Sequence, residues 1–109
     1  MIAELESFPS RFSEVAEVEF YEGEDYVCLA HLRVRQTAPP GTGKAILAAL
    51  FQITDRLNLP VILFAVPERR KSFREPMSQT ALIEWYCRNG FVQRRGMLKS
   101  CLIREPRTP

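Results

Sequence analysis

Two apolar strand-like runs, separated by one helix-like stretch, constrain this chain more than any other feature. Tyr26-Val-Cys-Leu-Ala-His-Leu-Arg-Val34 is apolar on both faces, as in a strand with neighbours on either side. Ile46, Leu47, Leu50, Ile53 and Leu57 then recur at i, i+3, i+4 spacing, which predicts a helix over residues 43–57. Asn58 suits the C-terminal cap, and Pro60 forbids continuation. Pro60-Val-Ile-Leu-Phe-Ala-Val66 reads as a short buried strand closed by Pro67. Strand, helix, strand with short joints makes a parallel pair, and such crossovers are right-handed.

The remaining elements attach to this unit. Ala16, Val18 and Phe20 alternate with Val15, Glu17 and Glu19, which predicts a strand over 15–21. Gly23 in Glu22-Gly-Glu-Asp25 supplies the turn of an antiparallel hairpin with the 26–34 strand. Ile2, Leu5, Phe8 and Phe12 are spaced like a helix interrupted by Pro9; a short helix running to about Val15 is the other reading. Residues 68–76 form a charged loop. Ser78 caps a helix from Gln79 to about Asn89, which Gly90 ends, and residues 97–103 make a last strand. The order predicts one mixed sheet with helices on it, an α/β domain spanning 1–109.

Composition narrows the function. The chain has 109 residues, 46% of them hydrophobic, and a net charge of +2, too small to point to nucleic acid. No apolar run reaches the length of a membrane span, and the N-terminus lacks a secretory core. With 3 cysteines, no C-x-x-C pair and 1 histidine, neither a disulfide framework nor a metal site is expected. A reduced, cytoplasmic protein fits these facts.

Chemistry concentrates where the first strand meets the helix, at Ala38-Pro-Pro-Gly-Thr-Gly-Lys-Ala45. Exposed amides at a helix N-terminus attract an anion. A phosphate-binding loop of the nucleotide hydrolases needs glycine at the position of Ala38 and Ser or Thr at that of Ala45. The missing hydroxyl is the magnesium ligand, so that reading is set aside.

The stretch from Val34 to Ala45, taken with Gln79-Thr-Ala-Leu-Ile-Glu-Trp-Tyr-Cys-Arg-Asn-Gly-Phe91, resembles the GNAT family of acyl-CoA N-acetyltransferases. Gly41-Thr-Gly43 matches that family's G-x-G, and Tyr86 followed by Gly90-Phe91 matches its second signature. The resemblance covers about 15–103. Residues 59–67 and 78–86 are also similar to short phage-type anti-CRISPR acetyltransferases. The likeness implies a GNAT-like mixed central sheet with helices on both faces and a reduced N-terminal part. It implies acetyl-CoA as co-substrate, with transfer of the acetyl group by direct attack of an amine. A protein lysine is the preferred acceptor, because the acceptor side is too reduced to enclose a small molecule. The alternative is a catalytically silent GNAT-like module that binds a protein partner. A homodimer is allowed.

The resemblance also implies roles. The amides of Gly41, Thr42, Gly43, Lys44 and Ala45 would hold the coenzyme pyrophosphate, since Pro39 and Pro40 have no N–H. Lys44 and Arg35 would add charge, the backbone near Val34 would pair with the pantetheine arm, and Gln79 stands where the family has asparagine. Tyr86 would reprotonate the leaving thiolate; its other reading is a core tyrosine. His31 would serve as the base, or else is a structural histidine, with Glu17, Glu19 and Glu84 as further bases. The basic loop 69–74 would meet a phosphate or an acidic partner, or is a solvated loop. Arg94 and Arg95 would extend a basic edge. The cysteines are read as packing residues.

Overall fold

The computed structural model describes residues 3–69, 71–93 and 100–107. Helix α1 (Ala3–Arg11) is followed by strands β1 (Ala16–Glu22) and β2 (Val27–Val34), then helix α2 (Thr42–Arg56) and strand β3 (Val61–Phe64). Helix α3 (Gln79–Arg88), strand β4 (Val92–Gln93) and strand β5 (Cys101–Arg104) complete the chain. The five strands form one sheet in the order β1-β2-β3-β5-β4. β2 and β3 are parallel, and the β1–β2, β3–β5 and β4–β5 pairs are antiparallel. The expected parallel unit and hairpin are therefore present. Pro9 lies inside α1, near its end, where one lost backbone bond is tolerated. β4 was not anticipated: two residues are too few to show a period. The expected start of the last strand, at Met97, lies outside the described residues, as do Arg94 and Arg95.

Both long helices end for the same physical reason. Asn58 adopts φ 57 after α2, and Gly90 adopts φ 103 after α3. At the first end, Leu59 N–H donates to Thr54 O (2.8 Å) and Asn58 N–H to Asp55 O (3.1 Å). At the second, Phe91 N–H donates to Tyr86 O and Gly90 N–H to Cys87 O, each at 3.2 Å. These are Schellman caps. The apolar contact that accompanies such a cap is here the Phe91 ring against Tyr86, edge-on at 5.5 Å. The Tyr-x-x-x-Gly-Phe spacing is thus a capping device that also pins the tyrosine.

All three helices share one face of the sheet. Glu4 of α1 pairs with Arg56 of α2, Gly43 of α2 lies under Trp85 of α3, and Phe51 of α2 meets Phe91. Helices on both faces were expected; the correction follows from topology. The crossovers β2-α2-β3 and β3-α3-β4 advance the same way across the sheet, so right-handedness puts both helices on one side. The core lies there, with Leu5, Phe8, Val27, Leu50, Val61 and Leu102 buried. Burial of this kind supplies roughly 2 kcal/mol per large side chain.

Candidate active site

β2 and β3 pair only from Val27↔Val61 to Leu29↔Leu63, while β2 runs on to Val34. Beyond Leu29 the two parallel strands splay. On the other edge of β2 the register with β1 shifts between Glu19↔His31 and Phe20↔Leu29, so Ala30 has no opposite number. This bulge swings the strand's alternation by one residue. Leu32 stays on the helical face opposite Val18, while His31 and Arg33 point the other way, opposite Glu19 and Glu17. Without it, the apolar half of β2 could not follow its own sequence into the core. The far end of the splay is closed by the 72–74 segment: Arg74 N–H donates to Val34 O (2.9 Å) and Gln36 N–H to Ser72 O (3.2 Å).

The splay opens into a cavity of about 490 Å³. That volume suits a small-molecule site. Its wall on the helical side includes Leu82, Trp85 and Tyr86, and its wall on the bare side includes His31, Arg33 and Glu68. Gly41, Gly43, Lys44 and Arg74 line its third end, and Phe64, Val66 and Met77 give it an exposed apolar lip.

The third end suits an anion. Gly41 caps α2 in the left-handed conformation, φ 82, which a side chain would strain. Thr42 N–H donates to Pro39 O (3.3 Å), and Ala45 N–H donates to Gly41 O (3.0 Å) as the first intrahelical bond. The amides of Gly43 and Lys44, between them, have no intrahelical acceptor and carry the positive end of the helix dipole. A Cβ on Gly43 would stand 3.3 Å from two Trp85 ring carbons, so a side chain here would require the indole to give by a few tenths of an ångström. Arg74 adds charge nearby, its Nη2 donating to Ala38 O (2.8 Å) and Pro39 O (3.0 Å).

Tyr86 is 7% exposed and braced by Trp85 and Phe91 at 5.0 and 5.5 Å. Burial pushes its phenol up to about 12, so it stays protonated at neutral pH. His31 sits 2.8 Å through Nδ1 from Glu68 Oε2, and Arg33 bonds both Glu68 and Glu17.

The cavity brings together Val34, Gly41, Gly43, Lys44, His31 and Tyr86 of the residues anticipated. It does not bring in the others. The Thr42 and Ala45 amides are taken by backbone carbonyls, and Thr42 Oγ1 donates to Pro39 O at 2.6 Å. Arg35 stacks on Phe73, its Cζ 5.1 Å from the ring centre. Gln79 Nε2 donates to Ala65 O (3.2 Å) and so ties α3 to the end of β3. Arg69 of the basic loop pairs with Glu75 at 3.1 Å, and among the described basic residues of that loop Arg74 lines the cavity. None of Cys28, Cys87 and Cys101 lines the cavity. Burial pushes the Cys28 thiol up, away from nucleophilic use. Arg74 was anticipated as part of the basic loop, whereas Glu68, which also lines the cavity, was missed. A carboxylate directly after the strand parallel to the one bearing His31 was the available signal for Glu68.

The architecture has a solved counterpart. The chain superposes on the crystal structure of the anti-CRISPR protein AcrVA5 with a TM-score of 0.68. The match covers 83% of this chain and 90% of that one, at 22% identity, so it speaks for the fold alone. The domain is a GNAT-like α/β fold with a mixed five-stranded sheet and three helices. No protein-family model matches the chain, and no curated protein sequence matches it significantly. No described helix is long and apolar enough to cross a membrane.

Proposed function

We propose that this protein is an acetyl-CoA-dependent N-acetyltransferase whose acceptor is an amine, preferentially a lysine on a protein. One observation carries the reading: a single cleft between splayed parallel strands joins an anion-binding helix N-terminus to a buried phenol and an imidazole. The donor set fits the coenzyme. The Gly43 and Lys44 amides, with the side chains of Lys44 and Arg74, suit a pyrophosphate. The edge of β2 between Leu29 and Val34, which β3 leaves unpaired, suits an amide-bearing arm, and the exposed Phe64, Val66 and Met77 suit its apolar parts.

The residues then divide the proton work. His31 accepts a proton from the incoming ammonium, freeing the nitrogen lone pair. The amine forms the new C–N bond at the thioester carbon, and the C–S bond breaks. Tyr86 donates a hydrogen bond to the departing sulfur. With its phenol at about 12 and an ordinary thiol near 8.5, full proton transfer to a relaxed thiolate runs uphill. The phenol therefore acts while the C–S bond is breaking, and the proton lost by the amine ends on the thiol. His31 stands on the face that no described helix covers, which suits a macromolecular acceptor. The likeness to an anti-CRISPR protein supports the same choice.

Calorimetry with acetyl-CoA tests the binding: a flat titration would sink the reading. Intact-mass analysis of lysate proteins, expected to show an added acetyl group, tests the transfer. Tyr86→Phe is expected to lower kcat with acetyl-CoA affinity retained. A second reading, a silent module docking on a partner, is favoured by Pro39 and Pro40, which offer the coenzyme no N–H. It requires that neither transfer nor hydrolysis of acetyl-CoA be detectable.

A further inference from the structure

The reading above needs a neutral imidazole with its lone pair directed outward, and the surroundings of His31 bear on which nitrogen carries the proton. Nδ1 lies 2.8 Å from Glu68 Oε2 and 3.1 Å from Arg33 Nη2, and Nε2 lies 3.8 Å from Glu19 Oε2. Arg33 Nη2 donates to the same Glu68 oxygen, and Arg33 Nη1 donates to Glu17. A guanidinium has only donors, and an ionised carboxylate has only acceptor sites. If Nδ1 bore the lone pair, it would face a carboxylate oxygen at hydrogen-bond distance with no hydrogen between them. If Nδ1 bears the proton, Glu68 Oε2 accepts from both His31 and Arg33, and the mismatch left is Arg33 Nη2, a second donor 3.1 Å from Nδ1; a lone pair held 2.8 Å from a carboxylate oxygen is the worse of the two.

We propose that Glu68 is a positioning residue for His31: it holds the ring as the Nδ1–H tautomer and leaves Nε2 as the basic nitrogen. Arg33, anchored on Glu17, in turn holds Glu68. The chain builds this from three elements. Glu17 and Glu19 come from β1, His31 and Arg33 from the bulged end of β2, and Glu68 from the loop after β3. Glu19 is occupied from its other side, since Tyr21 Oη donates to its Oε1 at 2.9 Å. It therefore sits beside Nε2 without taking its place. At metal-bound histidines the partner that fixes the tautomer matters about 10- to 100-fold, and a similar effect is expected for a histidine acting as base. The role rests on the transferase reading for its use in catalysis, but the tautomer itself does not.

With 1 histidine in the chain, nitrogen NMR of the labelled full-length protein observes one imidazole and assigns itself. The neutral ring of the wild type is expected to carry its proton on Nδ1. Glu68→Gln keeps an oxygen acceptor and keeps that tautomer. Glu68→Ala releases the ring, and the Nε2–H form grows in. A wild-type ring protonated on Nε2 overturns the proposal, and needs no variant to fold. So does an Nδ1–H ring unchanged in Glu68→Ala. In acetyl transfer, Glu68→Ala is expected to lower kcat about 10- to 100-fold at unchanged KM for acetyl-CoA, with Glu68→Gln recovering part of it. A raised KM with kcat intact would instead make Glu68 a binding residue and overturn the assignment. The two readings fail separately: absent acetyl-CoA binding alongside an Nδ1–H ring removes the transferase and leaves the positioning contact standing.

Discussion

Two arginines in this domain make the same kind of ion pair and serve opposite ends. Arg104, on β5, grips Asp55 of α2 through two bonds of 2.6 and 3.1 Å and lies 3.9 Å over the Phe51 ring. Its side chain is 5% exposed, and Arg107 N–H adds a third bond to the same carboxylate at 3.1 Å. Arg33, on β2 and 13% exposed, bonds Glu17 and Glu68, whose side chains are 35% and 38% exposed against 24% for Asp55, and one of them also holds an imidazole. The first network spends its polar groups inside the helical layer and closes the sheet onto α2. The second faces the bare side of the sheet and keeps its carboxylates wet, beside a cavity. The lesson is that the same pairing can be packed into the helical layer or left in reach of water, depending on which face of the sheet carries it.

The largest expected effect tests the clamp. Arg104→Ala strands Asp55 and uncovers Phe51, and should cost about 3 kcal/mol in urea unfolding. A cost below about 1 kcal/mol would erase the distinction from Arg33. The clamp also has a pH signature. Its hydrogen bond from Arg104 holds Asp55 below the usual carboxylate range, partly opposed by desolvation. A depressed folded value means stability that is present above about pH 4 and lost as the pH falls further. Asp55→Asn should flatten that acid loss in melts taken from pH 5 downward.

Tyr86 gives the next effect, at the other end of the scale. Its folded value, about 12, lies above the ordinary phenol near 10. Its contribution is therefore whole below pH 10 and disappears as pH rises through 12, a swing of about 2–3 kcal/mol. Ultraviolet titration should show one tyrosine ionising late, and Tyr86→Phe should remove it.

Smaller is the strain at the anion end. Gly43→Ala drives a methyl to 3.3 Å from Trp85 and should cost about 1–2 kcal/mol with weaker acetyl-CoA binding. Gly41→Ala meets open space but must hold φ 82, a cost of about 1 kcal/mol with the cavity walls left in place. Comparing the two by calorimetry and thermal melts separates crowding from backbone strain.

The smallest change in stability belongs to Arg33→Ala, about 1 kcal/mol or less, because water can solvate Glu17 and Glu68. Turnover should nonetheless fall more than tenfold as Glu68 loses its anchor. Equal losses of stability for Arg33→Ala and Arg104→Ala would break the comparison.

Much of this was legible in the chain, for local reasons. The run Ile46 to Leu57, ended by Asn58 and Pro60, carries helix period and cap together, so α2 was placed within a residue at each end. Gly90 announced the end of α3 in the same way. Val34, Gly41, Gly43 and Lys44 were singled out through the strand–loop–helix junction and Tyr86 through its spacing to Gly90-Phe91, and all five line the same cavity. Thr42 and Ala45 could not be separated from their neighbours, because which helix amide is free depends on the acceptors Pro39 and Gly41 offer in space. Glu68 was missed since its partner His31 is 37 positions away.

By itself the sequence determined the strand-helix-strand unit, its handedness, the caps and the glycine-rich start of α2, because each rests on periodicity or on backbone rules acting over a few residues. Only the tertiary structure decided that the helices share one face, that β2 and β3 part after Leu29, and that a bulge at Ala30 turns His31 and Arg33 toward Glu68. Those are relations between strands. Register and splay follow from how whole faces are buried, and no window along the chain contains both partners.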